Sequence, residues 1–162
     1  MAVDRVVERD GREAPCRTHE IPLGEPVDPG DLPAVEGVDE ESRRLLAARY
    51  GHAAHEVVAI AEGDASLARR ITADRPDLLA ESVFAARREQ AASVSDLFLR
   101  RTRLGLLDAP RLVAPSAPGA EAMARAMAPE LGWDDAEVAA QIETWHRIAG
   151  AEGLVPGARE PV

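Results

Sequence analysis

Apolar side chains recur every three or four residues along most of this sequence, the spacing of amphipathic α-helices. No stretch of strand length alternates apolar and polar residues cleanly, and only 3% of the residues are aromatic. The pattern therefore predicts an all-α fold. We expect a compact bundle of about five to six helices with an irregular N-terminal arm and one long central helix.

Capping and breaking residues divide the chain into predicted helices. Asp39, Asp64 and Asp134 each stand where a side chain can cap the helix that follows. The predicted helices lie within residues 1–13 and at 40–49, 52–61, 65–72, 77–104, 120–131 and from 134 onward, with a loop at 105–119. Prolines and glycines break up residues 14–37. The predicted organisation is an N-terminal helix and extended arm (1–37), a helical domain (38–150) and a flexible tail (151–162).

The longest helical pattern runs without glycine or proline from Asp77 to about Leu104. One predicted face is mainly apolar and would dock on a core: Val83, Ala86, Gln90, Val94, Leu97, Phe98 and Leu104. The opposite face carries charges separated by alanines: Glu81, Ala85, Glu89, Ala92, Asp96, Arg100 and Arg103.

The charged face has two interpretations. The simpler one is a solvated surface, stabilised by pairs such as Asp96 with Arg100 at about 0.3–0.5 kcal/mol each. The alternative is a docking surface, since small alanines let a partner approach and arginine is favoured at interfaces. Together with residues of the sequence motif described below, the candidates for docking are Glu81, Arg87, Glu89, Asp96, Arg100, Arg101, Thr102 and Arg103.

Charge and hydropathy exclude two classes of partner. The chain has 162 residues with 29 acidic and 19 basic side chains, a formal net charge of −10. This acidity repels phosphate backbones, so we predict no nucleic-acid partner. No run approaches the ~18 apolar residues that cross a bilayer, which predicts no direct membrane insertion and a cytoplasmic protein.

Candidate catalytic and metal-binding groups are weak in this sequence. His52, His55 and Glu56 share a predicted helix, but no Cys-x-x-Cys or His-Glu-x-x-His spacing accompanies them. Cys16, near His19, falls in a stretch bounded by prolines, with no helix N-terminus to activate its thiol. The chain also lacks the Gly-x-Gly-x-x-Gly turn of a dinucleotide site. We therefore predict no catalytic, cofactor-binding or metal-binding residues here.

A resemblance adds to this description. The run PDLLAESVFAARRE at 76–89, followed by AASVSD at 91–96 and LRRTRL at 99–104, resembles the C-terminal helical domain of FAD-dependent, respiratory-type glycerol-3-phosphate dehydrogenases and glycerophosphate oxidases. Phe84 stands where tyrosine is common in that family. Shorter matches flank the run: Cys16-Arg17-Thr18, Pro22-Leu23-Gly24, Arg49-Tyr50-Gly51 and Leu131-Gly132-Trp133. The similarity spans about residues 14–147, and Met1–Asp4 resembles the last helix of the family's flavin domain.

The resemblance implies a non-catalytic domain that packs on a flavin domain, in the same polypeptide or a separate one, with homodimer contacts as a second expectation. The parent enzyme would oxidise glycerol 3-phosphate to dihydroxyacetone phosphate and pass electrons through FAD to quinone, with FAD bound outside this chain. Such an enzyme would lie peripherally on the inner face of the plasma membrane. Two alternatives stay open at this point: a free-standing protein-interaction or regulatory module derived from the domain, and a small independent enzyme.

Overall fold

Helices build the domain throughout the part of the chain that the structure describes. The computed structural model describes residues 5, 9, 11, 18–20, 24–114 and 118–155. The helices are α1 (Glu40–Tyr50), α2 (Ala54–Gly63), α3 (Leu79–Arg88), α4 (Val94–Asp96, continued by a π-helical turn at Leu97–Arg101), α5 (Leu104–Leu107), α6 (Ala109–Val113), α7 (Pro118–Leu131) and α8 (Asp135–Ala151). Single 3-10 turns lie at Thr18–Glu20, Pro29–Asp31, Gly51–Ala53 and Ala65–Ala68. The predicted all-α bundle is confirmed.

The predicted helix starts follow from capping side chains. Asp39 Oδ1 accepts a hydrogen bond from Ser42 N at 2.8 Å and begins α1. Asp134 Oδ1 accepts one from Glu137 N at 2.8 Å and begins α8. Both helices were predicted at these positions because a carboxylate satisfies an otherwise free N–H of the first turn.

The helix predicted at 65–72 is wrong beyond its first turn. Asp64 caps a single 3-10 turn, Ala65–Ala68, and the chain is extended at Arg69. Ile71 N then donates to Asp77 O at 2.9 Å, and Arg70 and Leu78 form an isolated antiparallel bridge. The backbone groups of this segment are thus satisfied by the chain that leads into α3, instead of by a helix.

The single long helix at 77–104 is also wrong. Helix α3 ends at Arg88, Gln90 adopts a left-handed conformation with φ of 56°, and Ala91 N bonds back to Ala85 O at 3.1 Å. Ser93 then caps α4, since its Oγ accepts from Asp96 N at 3.0 Å. A left-handed turn followed by a new cap ends one helix and starts another without glycine or proline.

This break changes the two predicted faces. Glu81 and Ala85, expected on the charged face, are buried, whereas Gln90, expected in the core, is exposed. The predicted loop at 105–119 contains the short helices α5 and α6. The helix predicted within residues 1–13 lies almost entirely outside the described residues, as do Cys16 and the tail from residue 156 on.

Two hydrophobic clusters share helix α3. One surrounds Trp145, whose Nε1 donates to Leu112 O at 3.0 Å and whose ring lies 4.9 Å from that of Phe98. The other joins α1 and α2 to the opposite side of α3, where Phe84 packs edge-on to Tyr50 at 5.1 Å. Burial of both faces fixes α3 between the two halves of the domain.

Gly105 is needed for the first cluster. A Cβ at this position would lie 2.7 Å from Trp145 Cη2 and 3.2 Å from the Phe98 carbonyl oxygen. Gly105→Ala should therefore lower the free energy of unfolding by about 1–3 kcal/mol, through overpacking against a fully buried ring. The measurement is urea unfolding followed by circular dichroism.

The matched control is Gly63→Ala at the end of α2, where a Cβ would meet nothing within 4 Å. This variant should be neutral or slightly stabilising, because alanine is the better helix former. Equal effects of the two substitutions would contradict the packing described here.

Candidate functional site

The eight docking candidates do not form one surface. Glu81 and Thr102 are buried, with exposed fractions of 0% and 2%. Arg87, Arg100, Arg101 and Arg103 are exposed, and Glu89 and Asp96 are half-buried. Docking through the exposed candidates stays a prediction. The prediction that Glu81 lies on an exposed charged face is wrong, because its carboxylate belongs to a buried charge cluster between helices.

We call this group the Arg49 cluster: Arg49, Tyr50, Asp77 and Glu81. Arg49 Nη1 donates to Asp77 Oδ1 at 2.7 Å and makes a second, short hydrogen bond to Glu81 Oε2. The Tyr50 hydroxyl donates to the same Glu81 oxygen at 2.9 Å. Arg49 Nη2 lies 3.4 Å from the carbonyl oxygen of Thr102. The cluster thus joins the end of α1, the start of α3 and the chain that leaves α4.

Local sequence places each member of the Arg49 cluster. Arg49 and Tyr50 occupy the last turn of α1, which Gly51 ends with a φ of 53°. Glu81 lies in the first turn of α3, and its Oε1 accepts from Leu78 N at 2.8 Å. The carboxylate therefore both closes the start of its own helix and holds the arginine of another.

Burial and charge act together on the ionisable groups of the cluster. Burial alone would lower the pKa of Arg49, but the Glu81 and Asp77 carboxylates outweigh it and raise that pKa above its ordinary value. Complete burial raises the pKa of Glu81, and the Arg49 guanidinium opposes that rise. Burial and the neighbouring Glu81 carboxylate raise the pKa of Tyr50. The arginine stays charged and the phenol stays neutral at physiological pH.

The exposed candidates differ in how they are already paired. Arg87 makes two hydrogen bonds to the Glu130 carboxylate, at 2.8 and 2.6 Å, which fasten α3 to α7. Arg100 pairs with Asp96 one turn earlier, as the spacing predicts. Arg101 Nη2 donates to the carbonyl oxygen of Glu89 at 2.6 Å. These contacts are internal, and the one from Arg101 to Glu89 braces the turn between α3 and α4.

Arg49 and Asp77 are not among the candidates predicted from the sequence. Their partners lie about 30 positions apart in the sequence, and a helical face shows only neighbours within one helix. The sequence also gives no partner for the Tyr50 hydroxyl, which bonds Glu81 in α3. The available signal was the triplet Arg49-Tyr50-Gly51, in which an arginine and a phenol reach the end of a helix together.

The polar groups of this region bond mainly to one another. Every member of the Arg49 cluster is bonded to another member or to backbone. Across the described ranges no three His, Cys, Asp or Glu side chains converge as metal ligands; the rings of His52 and His55 lie 5.3 Å apart. No helix within those ranges is long and apolar enough to cross a bilayer. The arrangement holds helices together and presents arginines on the surface.

The buried phenol predicts a pH dependence. Tyr50 has a raised pKa in the folded state, so its contribution to stability is present below the unfolded pKa of about 10 and is lost as pH rises above that value. Because Tyr50 is the only tyrosine, tyrosinate absorbance during an alkaline titration reports it alone. Ionisation should coincide with loss of helical circular dichroism. A phenol that ionises near pH 10 (about the model-peptide value) while the helices persist would contradict its burial.

A family profile and two curated relatives point to the same group of enzymes. The sequence profile of the family described as the C-terminal domain of alpha-glycerophosphate oxidase matches residues 16–138, more than half of the chain. Glycerol-3-phosphate dehydrogenase 1 of Mycobacterium tuberculosis is 40% identical over 107 residues, covering 64% of this chain and 20% of that protein. Glycerol-3-phosphate dehydrogenase 2 of the same species is 31% identical over 121 residues, covering 75% of this chain and 20% of that protein.

The chain spans about a fifth of the length of these curated relatives. No solved structure matches it significantly. The matched residues include the Arg49 cluster, α3, α4 and the start of α8. The chain therefore belongs to the family of C-terminal domains of alpha-glycerophosphate oxidase.

Proposed function

We propose that this chain is the helical domain of an FAD-dependent glycerol-3-phosphate dehydrogenase and that its own role is to pack on the flavin-bearing part. The whole enzyme would oxidise glycerol 3-phosphate to dihydroxyacetone phosphate and transfer the electrons through FAD to quinone. The observation that carries this proposal is the family match over residues 16–138.

The arrangement of polar groups supports a packing role. Glu81, the fully buried acid of the Arg49 cluster, already accepts hydrogen bonds from Arg49, Tyr50 and the backbone N–H of Leu78. A catalytic acid or base needs a free position within hydrogen-bond reach of a substrate, so these bonds favour a structural role for Glu81. The flavin and the reacting groups would therefore lie in the remaining four-fifths of an enzyme of the relatives' length.

The exposed arginines support a protein partner for this surface. Arg100, Arg101 and Arg103 follow one another around the end of α4, in a chain whose net charge is −10. A local positive surface on an acidic domain favours a partner with matching carboxylates. The partner would be the flavin domain, in the same polypeptide or a separate one. A homodimer is a further contact that the assembly would allow.

The location follows from the partner. This domain would lie in the cytoplasm, and the assembled enzyme would attach peripherally to the inner face of the plasma membrane through its other parts. The proposal assigns no FAD-binding, metal-binding or nucleic-acid-binding residue to the chain itself.

The test is affinity capture of the native protein from source cells with an antibody raised against this chain. Bound flavin is measured by fluorescence after denaturation, and activity by quinone reduction that depends on glycerol 3-phosphate. We expect flavin and activity to be captured with the chain, and the size of the captured band to show whether one polypeptide or two carries them. Recovery of the chain with neither flavin nor activity would contradict the proposal.

A further inference from the structure

The interior between α1 and α3 brings several carboxylates to one guanidinium. Asp77 and Glu81 both accept hydrogen bonds from Arg49, and their side chains are only 4% and 0% exposed. A third carboxylate, that of Glu89, lies close enough to the Tyr50 hydroxyl for its charge to help raise the pKa of that phenol. One positive charge is thus shared between two carboxylates, with a third nearby. Carboxylates that share a buried site compete for their charge, so one of them binds a proton more readily than it would in water.

Glu89 brings an unfilled acceptor to this interior. Its Oε2 atom is buried and accepts no hydrogen bond from the residues that the structure describes. Its backbone carbonyl oxygen, in contrast, accepts from Arg101 Nη2 at 2.6 Å, so the end of α3 is held in place. A buried polar atom without a partner is costly. A rearrangement that gives Glu89 Oε2 a donor is therefore favourable.

The Tyr50 hydroxyl is the donor that could fill this acceptor. In this structure it donates to Glu81 Oε2 at 2.9 Å. The same Glu81 oxygen accepts from Arg49, and Glu81 Oε1 accepts from Leu78 N at 2.8 Å. Three donors to one side chain are the pattern of an ionised carboxylate, which accepts and does not donate. Once Glu81 Oε2 takes up a proton it can donate to the Tyr50 oxygen, and the Tyr50 O–H is free to turn to Glu89.

The charges that face Glu81 come from two elements: Arg49 and Tyr50 from α1, and Asp77 from the chain before α3. Charges on the other elements around α3 form ion pairs of their own: Arg88 with Glu56 of α2, Arg87 with Glu130 of α7, and Arg100 with Asp96 beside the π-helical turn. The 3-10 turn at Ala65–Ala68, which also packs on α3, has no ionisable side chain. Burial and Asp77 raise the pKa of Glu81 more than Arg49 lowers it.

We propose that the Arg49 cluster and Glu89 form a pH-sensitive joint, in which Glu81 takes up one proton in mild acid while the domain stays folded and the Tyr50 hydroxyl turns from Glu81 to Glu89. The proton enters on Glu81 Oε2, and the hydroxyl proton of Tyr50 stays on Tyr50. The joint goes beyond the packing role proposed above and does not depend on it.

Protonation changes what holds three parts of the chain together. With Glu81 neutral, Asp77 is the remaining charged partner of Arg49 in the cluster, and the Thr102 carbonyl oxygen lies 3.4 Å from Arg49 Nη2. An ion pair with a neutral carboxyl is lost, and a weaker hydrogen bond takes its place. The link between α1, α3 and the chain that leaves α4 therefore responds to a single proton.

The experiment is infrared difference spectroscopy of the full chain, titrated from neutral to mildly acid pH. Because Tyr50 is the only tyrosine, a sample grown with ring-deuterated tyrosine assigns its C–O stretch. The carbonyl stretch of a protonated carboxyl should appear with a midpoint above the ordinary glutamate pKa of about 4.3. The Tyr50 band should shift at that same midpoint while helical circular dichroism is retained. A Tyr50 band that stays unchanged until the helices unfold overturns the proposal.

Urea unfolding of Glu81→Gln assigns the proton. Since the folded-state pKa of Glu81 is raised, its contribution to stability is complete below the unfolded value of about 4.3 and is lost as pH rises through the folded pKa. The ratio of the unfolding constant of the unsubstituted chain to that of Glu81→Gln should therefore rise with pH in this window, by up to about tenfold per pH unit. A ratio that is flat, or that falls as pH rises, overturns the proposal.

The matched control is Glu130→Gln on α7. The hydrogen bond from Arg87 lowers the pKa of Glu130, so its contribution to stability is lost as pH falls, and the corresponding ratio should fall as pH rises. If Glu81→Gln fails to fold, Glu89→Gln is the second variant, read by the Tyr50 infrared band. Removing the Glu89 charge should move the shift of that band to lower pH. An unchanged midpoint in a folded Glu89→Gln variant overturns the proposed turn of the hydroxyl.

Discussion

The hydrogen bonds of Arg49 to Glu81 and Asp77 are the constraint on which the rest of this domain depends. The Glu81 side chain is fully buried and that of Arg49 is 20% exposed. Burying two charges is costly unless they pair, and here Arg49 bonds Glu81, which also accepts from Tyr50 and from the backbone N–H of Leu78. The pair fixes the end of α1 against the start of α3. Through Arg49 and the carbonyl of Thr102, it also sets the position of the chain that leaves α4.

Helix α3, which the Arg49–Glu81 pair positions, packs against both halves of the domain. Phe84 packs on Tyr50 in one cluster, whereas Leu79 and Ala85 belong to the cluster around Trp145. On the far side, the ring of Trp145 supports Gly105 and hence the turn that displays Leu106 and Leu107. A buried charge cluster and an exposed apolar pair are thus linked through the two hydrophobic clusters that share α3, and close-packed interiors of this kind are stiff and transmit strain.

The sequence predicted the features that depend on neighbouring residues. Asp39 and Asp134 cap helices because their carboxylates reach an N–H three positions away, and Gly51 ends α1 because it accepts a positive φ. The break after α3 was not predicted, because it depends on the left-handed Gln90 and on Ser93, and serine also occurs inside helices. The spacing of Ser93 and Asp96 is nevertheless compatible with a helix start, and a run without glycine or proline does not require one continuous helix.

The burial of charged residues at the candidate site also depends on contacts between distant parts of the sequence. The helical pattern predicts that Glu81 lies on a solvated face. Its partner Arg49 lies 32 positions earlier in the sequence, and only the fold brings the two side chains together. The family resemblance to a dehydrogenase domain could be recognised from the sequence, since it rests on local motifs such as the run at 76–89. Only the structure shows which arginines are paired internally, as Arg87 and Arg100 are. It also shows that Arg103 has no ion-pair partner among the described residues.

The central claim is that Arg49 and Glu81 act as one unit, and a double-mutant cycle on urea unfolding tests it most directly. Arg49→Met alone should cost about 3–5 kcal/mol, because it leaves buried carboxylates uncompensated. Combining it with Glu81→Gln should recover at least about 1 kcal/mol, so the double variant should be more stable than Arg49→Met alone. If the two single effects add to within about 0.5 kcal/mol, the residues are uncoupled and the cluster does not hold the domain as described.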